Sequence, residues 1–437
     1  MEWYTTISLV LLPLMILMVL GVPIAMSLAV VGLVGIYLTQ GVDAMAMAST
    51  ISFETLSNYV LTCIPLFVLM GELLIVTGIS EGAFEATNNW FGRLPGGLGV
   101  AGIGCCAIFA AIMGSSPATA ATVGVVAVPE MLKRGYDKRL ATGSIAAGGA
   151  LGILIPPSIL MIIYGTVAEQ SVGQLFMGGF IPGFMLAGMM MLYIVVVCTL
   201  HPELAPRLES VPFREKMLSL VKVAPAVGLA LLVLGVIYLG IATPTEAGSV
   251  GACGALLLGV FYGTLTYRKL VTALKGTIIT STFIMTIMFC ASIFSYLLSS
   301  MGIPETISSL LVDNKLSSWA VMIAINILYL IMGCFMDPAS IVLLTAPIVI
   351  PAVRALGFDL VWFGIVIVMN MEMANVTPPF GFNLYVIKGI APTVSLAEII
   401  KGVIPFIFIQ AAALIIVMIF PRIVLWLPST MKIASGG

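Results

Sequence analysis

Gly114-Ser115-Ser116-Pro117-Ala118-Thr119-Ala120 lies inside a long apolar run and holds the wrong residues for an unbroken helix. Pro117 lacks the amide proton that an interior turn needs, and its ring clashes with the preceding turn. Gly114 loosens the same spot. The run 98–132 is therefore predicted as two half-helices about an unwound middle. Breaking a helix frees carbonyl oxygens, and Ser115, Ser116 and Thr119 add hydroxyls. Oxygen is what a hard cation takes as ligand. The carbonyl end of a half-helix favours that cation, and the facing amide end favours an anion. The plain alternative is a kinked structural helix whose small residues permit close packing.

A second break follows at Met336-Asp337-Pro338-Ala339-Ser340. Sliding the chain by 222 positions puts Ser115 on Asp337 (337 − 115) and Ser116 on Pro338. An acid inside a long apolar segment is expensive and usually functional. Asp before Pro is also a good N-cap for a helix beginning near 339. One carboxylate can do both, capping the helix and facing a cation.

Paired prolines mark two more breaks, in Ile155-Pro156-Pro157-Ser158 and in Asn375-Val376-Thr377-Pro378-Pro379-Phe380-Gly381. Each pair forces the preceding residue out of the helical region. Asn375 and Thr377 bring polar side chains into the second. Ser116 to Pro156 spans 40 residues (156 − 116), as does Pro338 to Pro378 (378 − 338). Chance kinks would not keep that spacing twice. The expected cation ligands are Gly114, Ser115, Ser116 and Thr119 at one break, with Asp337, Ala339, Ser340, Asn375 and Thr377 from the other half. The substrate is expected near Ser116, Pro157, Ser158, Asn375 and Thr377. None of the broken spans holds Lys or Arg deep inside it, so half-helix amides are the anion donors on offer. Of the other acids in apolar context, Glu246 reads as a helix cap, while Glu72 and Glu372 are open between polar glue and function.

The elements that position these residues repeat. Pro129 falls on Pro351 at the same shift, and Gly135-Tyr136-Asp137 falls on Gly357-Phe358-Asp359. Gly78-Ile79-Ser80-Glu81 meets Gly302-Ile303-Pro304-Glu305 at a shift of 224. The reading is an all-α polytopic membrane protein with two repeats and interrupted helices near a shared midplane, a secondary-transporter pattern. The first repeat takes residues 1–200, with a hairpin at about 57–80 and broken helices at 98–132 and 140–168. Residues 201–222 form a cytoplasmic linker. The second repeat takes 223–437, with a hairpin at about 278–301 and broken helices at 319–352 and 360–388. Both hairpins are read as re-entrant; ordinary spans are the alternative.

Composition agrees. The chain has 437 residues, 61% of them hydrophobic and 8% charged, where soluble domains carry about 25% charged residues. Lipid must be the outer solvent. The net charge of −1 leaves no basic face for nucleic acid. One histidine, His201, in a polar loop supports neither a catalytic triad nor zinc chemistry, and no catalytic residue is assigned. Seven cysteines without metal spacing read as reduced packing residues. Met1-Glu2-Trp3-Tyr4 reads as the start of a retained first helix, and Ala434-Ser435-Gly436-Gly437 as a tail. Lys133, Arg134, Lys138 and Arg139 crowd the loop after the first break, whereas its counterpart has Arg354 alone. With the cation-rich loop cytoplasmic, the count of crossings puts the Arg354 loop outside, so the repeats are inverted.

In Gly114-Ser115-Ser116 with Ala118-Thr119, Lys133-Arg134-Gly135-Tyr136-Asp137, Ile155-Pro156-Pro157-Ser158 with Tyr164-Gly165, Thr243-Pro244-Thr245-Glu246-Ala247, and Thr377-Pro378-Pro379 with Gly381 and Asn383-Leu384, the chain resembles the large membrane (M) subunit of the tripartite ATP-independent periplasmic (TRAP) transporters, in the ion-transporter superfamily. The likeness covers nearly the whole chain. It implies a bacterial inner-membrane location and sodium-driven uptake of an organic acid delivered by a periplasmic substrate-binding protein (P). It also implies a separate small membrane (Q) subunit and an elevator in which hairpins and broken helices move against a scaffold. Sialic acid and C4-dicarboxylates both fit. Na+ is the expected coupling ion, with no other cofactor; a proton-coupled carboxylate transporter is the alternative. An intramembrane enzyme lacks a paired nucleophile and base. A structural scaffold does not explain two matched breaks in each half.

Overall fold

The computed structural model describes residues 3–79, 82–206, 211–313, 317–379 and 381–431. Met1, Glu2, Ser80, Glu81, Arg207, Phe380 and the tail 434–437 lie outside the described residues. Within them the chain is helical throughout, with no strand. The first half runs α1 (Trp3–Val19), α2 (Ile24–Gln40), α3 (Met45–Leu56), α4 (Cys63–Thr77), α5 (Gly82–Phe91), α6 (Gly97–Met113), α7 (Ser116–Lys133), α8 (Lys138–Ala150), α9 (Ile159–Val167) and α10 (Val172–Leu200). The second runs α11 (Phe213–Tyr238), α12 (Pro244–Phe261), α13 (Tyr267–Ser300), α14 (Ile303–Asp313), α15 (Ser318–Gly333), α16 (Pro338–Ala355), α17 (Leu360–Ala374), α18 (Phe382–Ile390), α19 (Leu396–Ile419) and α20 (Arg422–Ser429). Seven of the described helical stretches are long and apolar enough to cross a membrane. α11 begins at Phe213, inside the stretch read as a linker.

The two hairpins lie elsewhere than the sequence suggests. The described part of that stretch, residues 57–79, makes a short 3-10 turn and then α4, without reversal. Pro65 sits in the first turn of α4, where a missing amide proton costs nothing. Residues 278–301 lie almost wholly inside the single 34-residue helix α13. Two of its hydroxyls bond back to their own helix, Thr277 to the Ala273 carbonyl (2.8 Å) and Ser292 to the Met288 carbonyl (3.0 Å), without breaking it.

The segments read as broken spans at 98–132 and 319–352 are the hairpins. α6 and α7 turn about Gly114-Ser115 and pack side by side, so that Gly102 of α6 and Gly124 of α7 both face Ile145 of α8. The Tyr136 hydroxyl accepts from the Leu98 amide (3.2 Å) and closes the base. In the other half, Tyr329 and Thr345 join α15 to α16 through their hydroxyls (3.0 Å). The Trp319 ring meets Phe358 edge-on at the base, with centroids 5.4 Å apart. The paired-proline segments do break their helices, between α8 and α9 and between α17 and α18.

Packing holds these four elements together. α8 lies against α18 and α9 against α17, so the two broken helices run antiparallel. α7 packs on α18 and α16 on α9. Outside them, α2 packs on α13 and α12 on α4. The contact of α8 with its neighbours is close because Gly143 faces Gly402 and Gly149 faces Ala120, the small-residue packing that membrane helices use.

Candidate functional site

The first hairpin tip is built by backbone geometry. Gly114 has φ +60°, and a Cβ there would lie 2.7 Å from the Pro157 carbonyl oxygen. Left-handed backbone and close approach both demand glycine. Ser115 is extended, and α7 then starts at Ser116-Pro117, the position where proline suits a helix. Thr119 turns back onto the tip, donating from Oγ1 to the Ser115 carbonyl (2.8 Å). The buried Ser116 reaches the other half. Asn383 Nδ2 donates to Ser116 Oγ (3.0 Å) and to the Ala146 carbonyl (2.9 Å), so one side chain of α18 ties the tip to α8.

The second tip is built on Asp337. Its Oδ1 accepts from the Ser340 amide (3.1 Å) and its Oδ2 from the Ser340 hydroxyl, so it caps α16 with Pro338 in the first turn. In the break of the first half, the buried Ser158 donates to the Ile153 carbonyl (2.6 Å) and accepts from the Met161 amide, capping α9. In the break of the second half, Thr377 Oγ1 bonds the Met373 carbonyl (2.7 Å), and the Asn383 amide bonds the Asn375 carbonyl (3.1 Å). Cis peptide bonds join Pro156 to Pro157 and Pro378 to Pro379, at equivalent places under the 222 shift.

The tips and breaks enclose a cavity of about 220 Å³. Gly114, Ser115 and Ser116 line it from one tip, Asp337 and Ala339 from the other, and Asn375 from the break between α17 and α18. Thr119 and Ser340 sit behind the tips, each bonded to the turn it braces. Pro157, Ser158 and Thr377 shape the breaks without lining the cavity; the Pro157 carbonyl faces Gly114. Two contributors have no place among the sequence candidates. Asn383 was legible only as part of a motif. Thr280, Phe283 and Ile284 of α13 form one wall, and the Ser/Thr richness of 278–301 was their only signal.

The electrostatics follow from the helix ends. The first residues of α7, α9, α16 and α18, namely Ser116, Ile159, Pro338 and Phe382, all line the cavity. Four amide ends, each carrying a partial positive charge, therefore converge on it. Among the described residues no Lys or Arg lines it, and the one carboxylate that does, Asp337, is held by Ser340. Residues that close three preceding helical segments, Gly114, Ile153 and Asn375, bring carbonyl ends to the same place. Among the described residues no group of three His, Cys, Asp or Glu gathers anywhere.

The remaining acids separate. Glu246 caps α12 in a reciprocal box with Thr243. Glu72 lies against Gly276 of α13, where a Cβ would come within 2.9 Å of its carboxylate. Glu372 is wholly buried in α17, and neither of its oxygens has a hydrogen-bond partner among the described residues. The cysteines are free, and all but Cys253 and Cys334 are buried.

Residues 11–423 match the family described as tripartite ATP-independent periplasmic transporter, DctM component. The chain belongs to the DctM family. It is 38% identical to the C4-dicarboxylate TRAP transporter large permease protein DctM of Rhodobacter capsulatus, over 94% of this chain and 96% of that one. It is 33% identical to the isethionate TRAP transporter permease protein DctMQ of Oleidesulfovibrio alaskensis, over 93% of this chain but 64% of that longer one. Against the sialic acid TRAP transporter permease protein SiaT of Haemophilus influenzae it is 31% identical, over 97% and 68%. Among solved structures, MtrF of Neisseria gonorrhoeae, described as one of a class of antimetabolite efflux pumps, aligns with a TM-score of 0.60 at 13% identity, over 93% of this chain and 94% of that one. That likeness is of fold alone. This DctM chain is thus a large permease component, a multi-pass protein of the bacterial inner membrane and part of a transporter rather than an enzyme.

Proposed function

We propose that this DctM chain carries an organic carboxylate inward, driven by sodium, as the large subunit of a three-part transporter. The observation that supports it most is the convergence of four helix amide ends, without Lys or Arg, on one cavity between the hairpin tips. Amide dipoles bind an anion without burying a counter-charge that would have to be desolvated in every cycle. A C4-dicarboxylate and sialic acid, the cargoes in two relatives' names, both carry a carboxylate that such ends would hold.

Sodium is cargo as well as driving ion in this reading. The tips supply oxygens, from carbonyls, hydroxyls and the single Asp337 carboxylate, which is the donor set of a hard cation. Gly114, Ser115, Ser116 and Thr119 would serve one sodium; Asp337, Ala339, Ser340, Asn375 and Thr377 would serve the other half. Bound sodium beside the amide ends adds positive charge where the carboxylate sits, so substrate would bind weakly without it. The hairpins α6–α7 and α15–α16 and the broken helices α8–α9 and α17–α18 then move as one body past α1–α4 and α11–α13. A periplasmic binding protein delivers the acid, and a small membrane subunit completes the complex; the longer DctMQ relative favours that second partner.

Uptake by the reconstituted complex, against a panel of organic acids, is the direct test. Uptake is expected only with an inward sodium gradient. Substrate should also raise the Tm of the complex more in sodium than in equal choline, because a ligand that binds only the folded state stabilises it. Equal stabilisation in both salts, with uptake following a proton gradient, would overturn sodium coupling and favour proton coupling.

A further inference from the structure

Away from the hairpin tips, α11 and α12 leave an open apolar groove of about 590 Å³. Gly228, Leu229 and Leu232 form one wall and Gly254, Leu257 and Phe261 the other. At Pro225 the groove meets a second cavity, of about 660 Å³, whose lining is polar as well as apolar. That basin holds Thr77, Glu85, Lys222, Tyr262 and Thr264. Lys222 Nζ lies 2.8 Å from Glu85 Oε2, and the two side chains remain 56% and 53% exposed.

We propose that this continuous cleft binds one phospholipid with a phosphoethanolamine headgroup, its phosphate on Lys222, its ammonium on Glu85 and one acyl chain in the groove between α11 and α12.

Three observations carry it. The first is charge complementarity. The basin presents both signs within hydrogen-bonding distance of each other, and a zwitterionic headgroup presents both in return. A glycerol headgroup has no cation for Glu85. A choline headgroup has one but no N–H to donate. The second is the lining of the groove, which holds no polar side chain to orient anything but hydrocarbon. Apolar cavities of about 150 Å³ already take benzene, and this one is several times larger. The third is depth. The basin takes in Tyr262 and Thr264, just past the end of α12, together with Val221, Lys222 and Pro225 in the N-terminal half of α11. Tyr262 and Tyr267, 52% and 83% exposed, ring the same end. Cations with exposed tyrosines mark a membrane–water interface, where headgroups sit.

A Cβ at Gly228 would meet nothing within 4 Å. Gly228→Phe therefore fills the groove from an undisturbed helix and separates occlusion from misfolding. The test is native mass spectrometry on the full chain purified from detergent, titrated with phosphatidylethanolamine, phosphatidylglycerol and phosphatidylcholine of matched chains. One phosphatidylethanolamine is expected to bind at least tenfold more tightly than either other lipid. Gly228→Phe should weaken it at least tenfold with Tm unchanged. Glu85→Gln should erase the preference over phosphatidylglycerol, and Lys222→Gln should weaken all three. Equal binding of the three lipids overturns the proposal, as does Gly228→Phe binding like wild type. Displacement of the lipid when the small membrane subunit is present also overturns it, since the groove would then be a seat for that subunit's helix.

Discussion

Gly114 sets the first tip, and its replacement makes a clean test of it. Gly114→Ala adds a left-handed penalty of about 1–2 kcal/mol and puts a Cβ 2.7 Å from the Pro157 carbonyl oxygen. The variant is expected to lose most sodium-dependent uptake and several degrees of Tm; wild-type uptake would show that the tip's close seat on the proline turn is dispensable. Asn383 tests the join between halves. Asn383→Leu leaves the buried Ser116 hydroxyl without its partner and takes the second donor from the Ala146 carbonyl, a loss of roughly 1–3 kcal/mol for the unsatisfied hydroxyl. The sodium concentration for half-maximal uptake should rise along with the drop in Tm. A drop in Tm alone would confine Asn383 to holding the fold. The two residues also differ in how visible they are from sequence. Gly-Ser-Ser-Pro announces its own turn through local backbone chemistry, and Asp before Pro announces its own cap. Asn383 shows only as part of a motif and gives no local sign of its role, because its partner Ser116 lies 267 residues away. Pro157, Ser158 and Thr377 show the converse: their local signal is strong, but it marks a break and not the cavity wall.

Helix length was the element-scale signal that hydropathy hid. At 1.5 Å per residue, a single span of 35 residues would be about 52 Å long, against about 30 Å of hydrocarbon. Two arms of 17 and 18 residues, as in α6 and α7, are each about 26 Å long and fit that thickness as a hairpin. A proline between them says only that the helix stops; whether the chain goes on or turns back depends on what packs beside it. Here Gly102 and Gly124 share Ile145 as their neighbour, and the chain turns back. The reverse error arises at 57–80, where Pro65 interrupts nothing because it falls in a first turn. The hairpin base offers a test. Tyr136→Phe leaves the packing intact and removes the acceptor of the buried Leu98 amide, at a cost of about 1–3 kcal/mol for an unsatisfied group. Hydrogen exchange should quicken at the start of α6 while the tip at 114–116 keeps its protection. Unchanged exchange at residue 98 would show that the bond does not hold the base shut.

At the scale of the whole molecule, exchanging hairpins and spans leaves the parity of the chain unchanged. From the 201–222 segment, α11, α12 and α13 make three crossings before the second hairpin, which returns the chain to the side it came from. From the loop at 133–139, α8–α9 and α10 make two crossings and reach 201–222. The loops at 133–139 and 354–359 therefore fall on opposite sides for any membrane that these helices cross. Matched geometry at the two loops accompanies that parity: Gly135 and Gly357 both have φ +80°, and Asp137 and Asp359 both cap the next helix. With four cations against one, the first loop is predicted to be cytoplasmic. Single cysteines decide it, placed at the exposed positions Arg134→Cys and Ala355→Cys in a chain whose exposed Cys253 is changed to Ser. An impermeant maleimide added outside right-side-out vesicles should label position 355 and spare 134 until the membrane is opened. Labelling of both from one side would undo the inverted arrangement. The antiparallel pairing of α8 with α18 and α9 with α17 would then need another account, since two breaks can meet at one depth with four amide ends facing one cavity only if the halves enter from opposite sides.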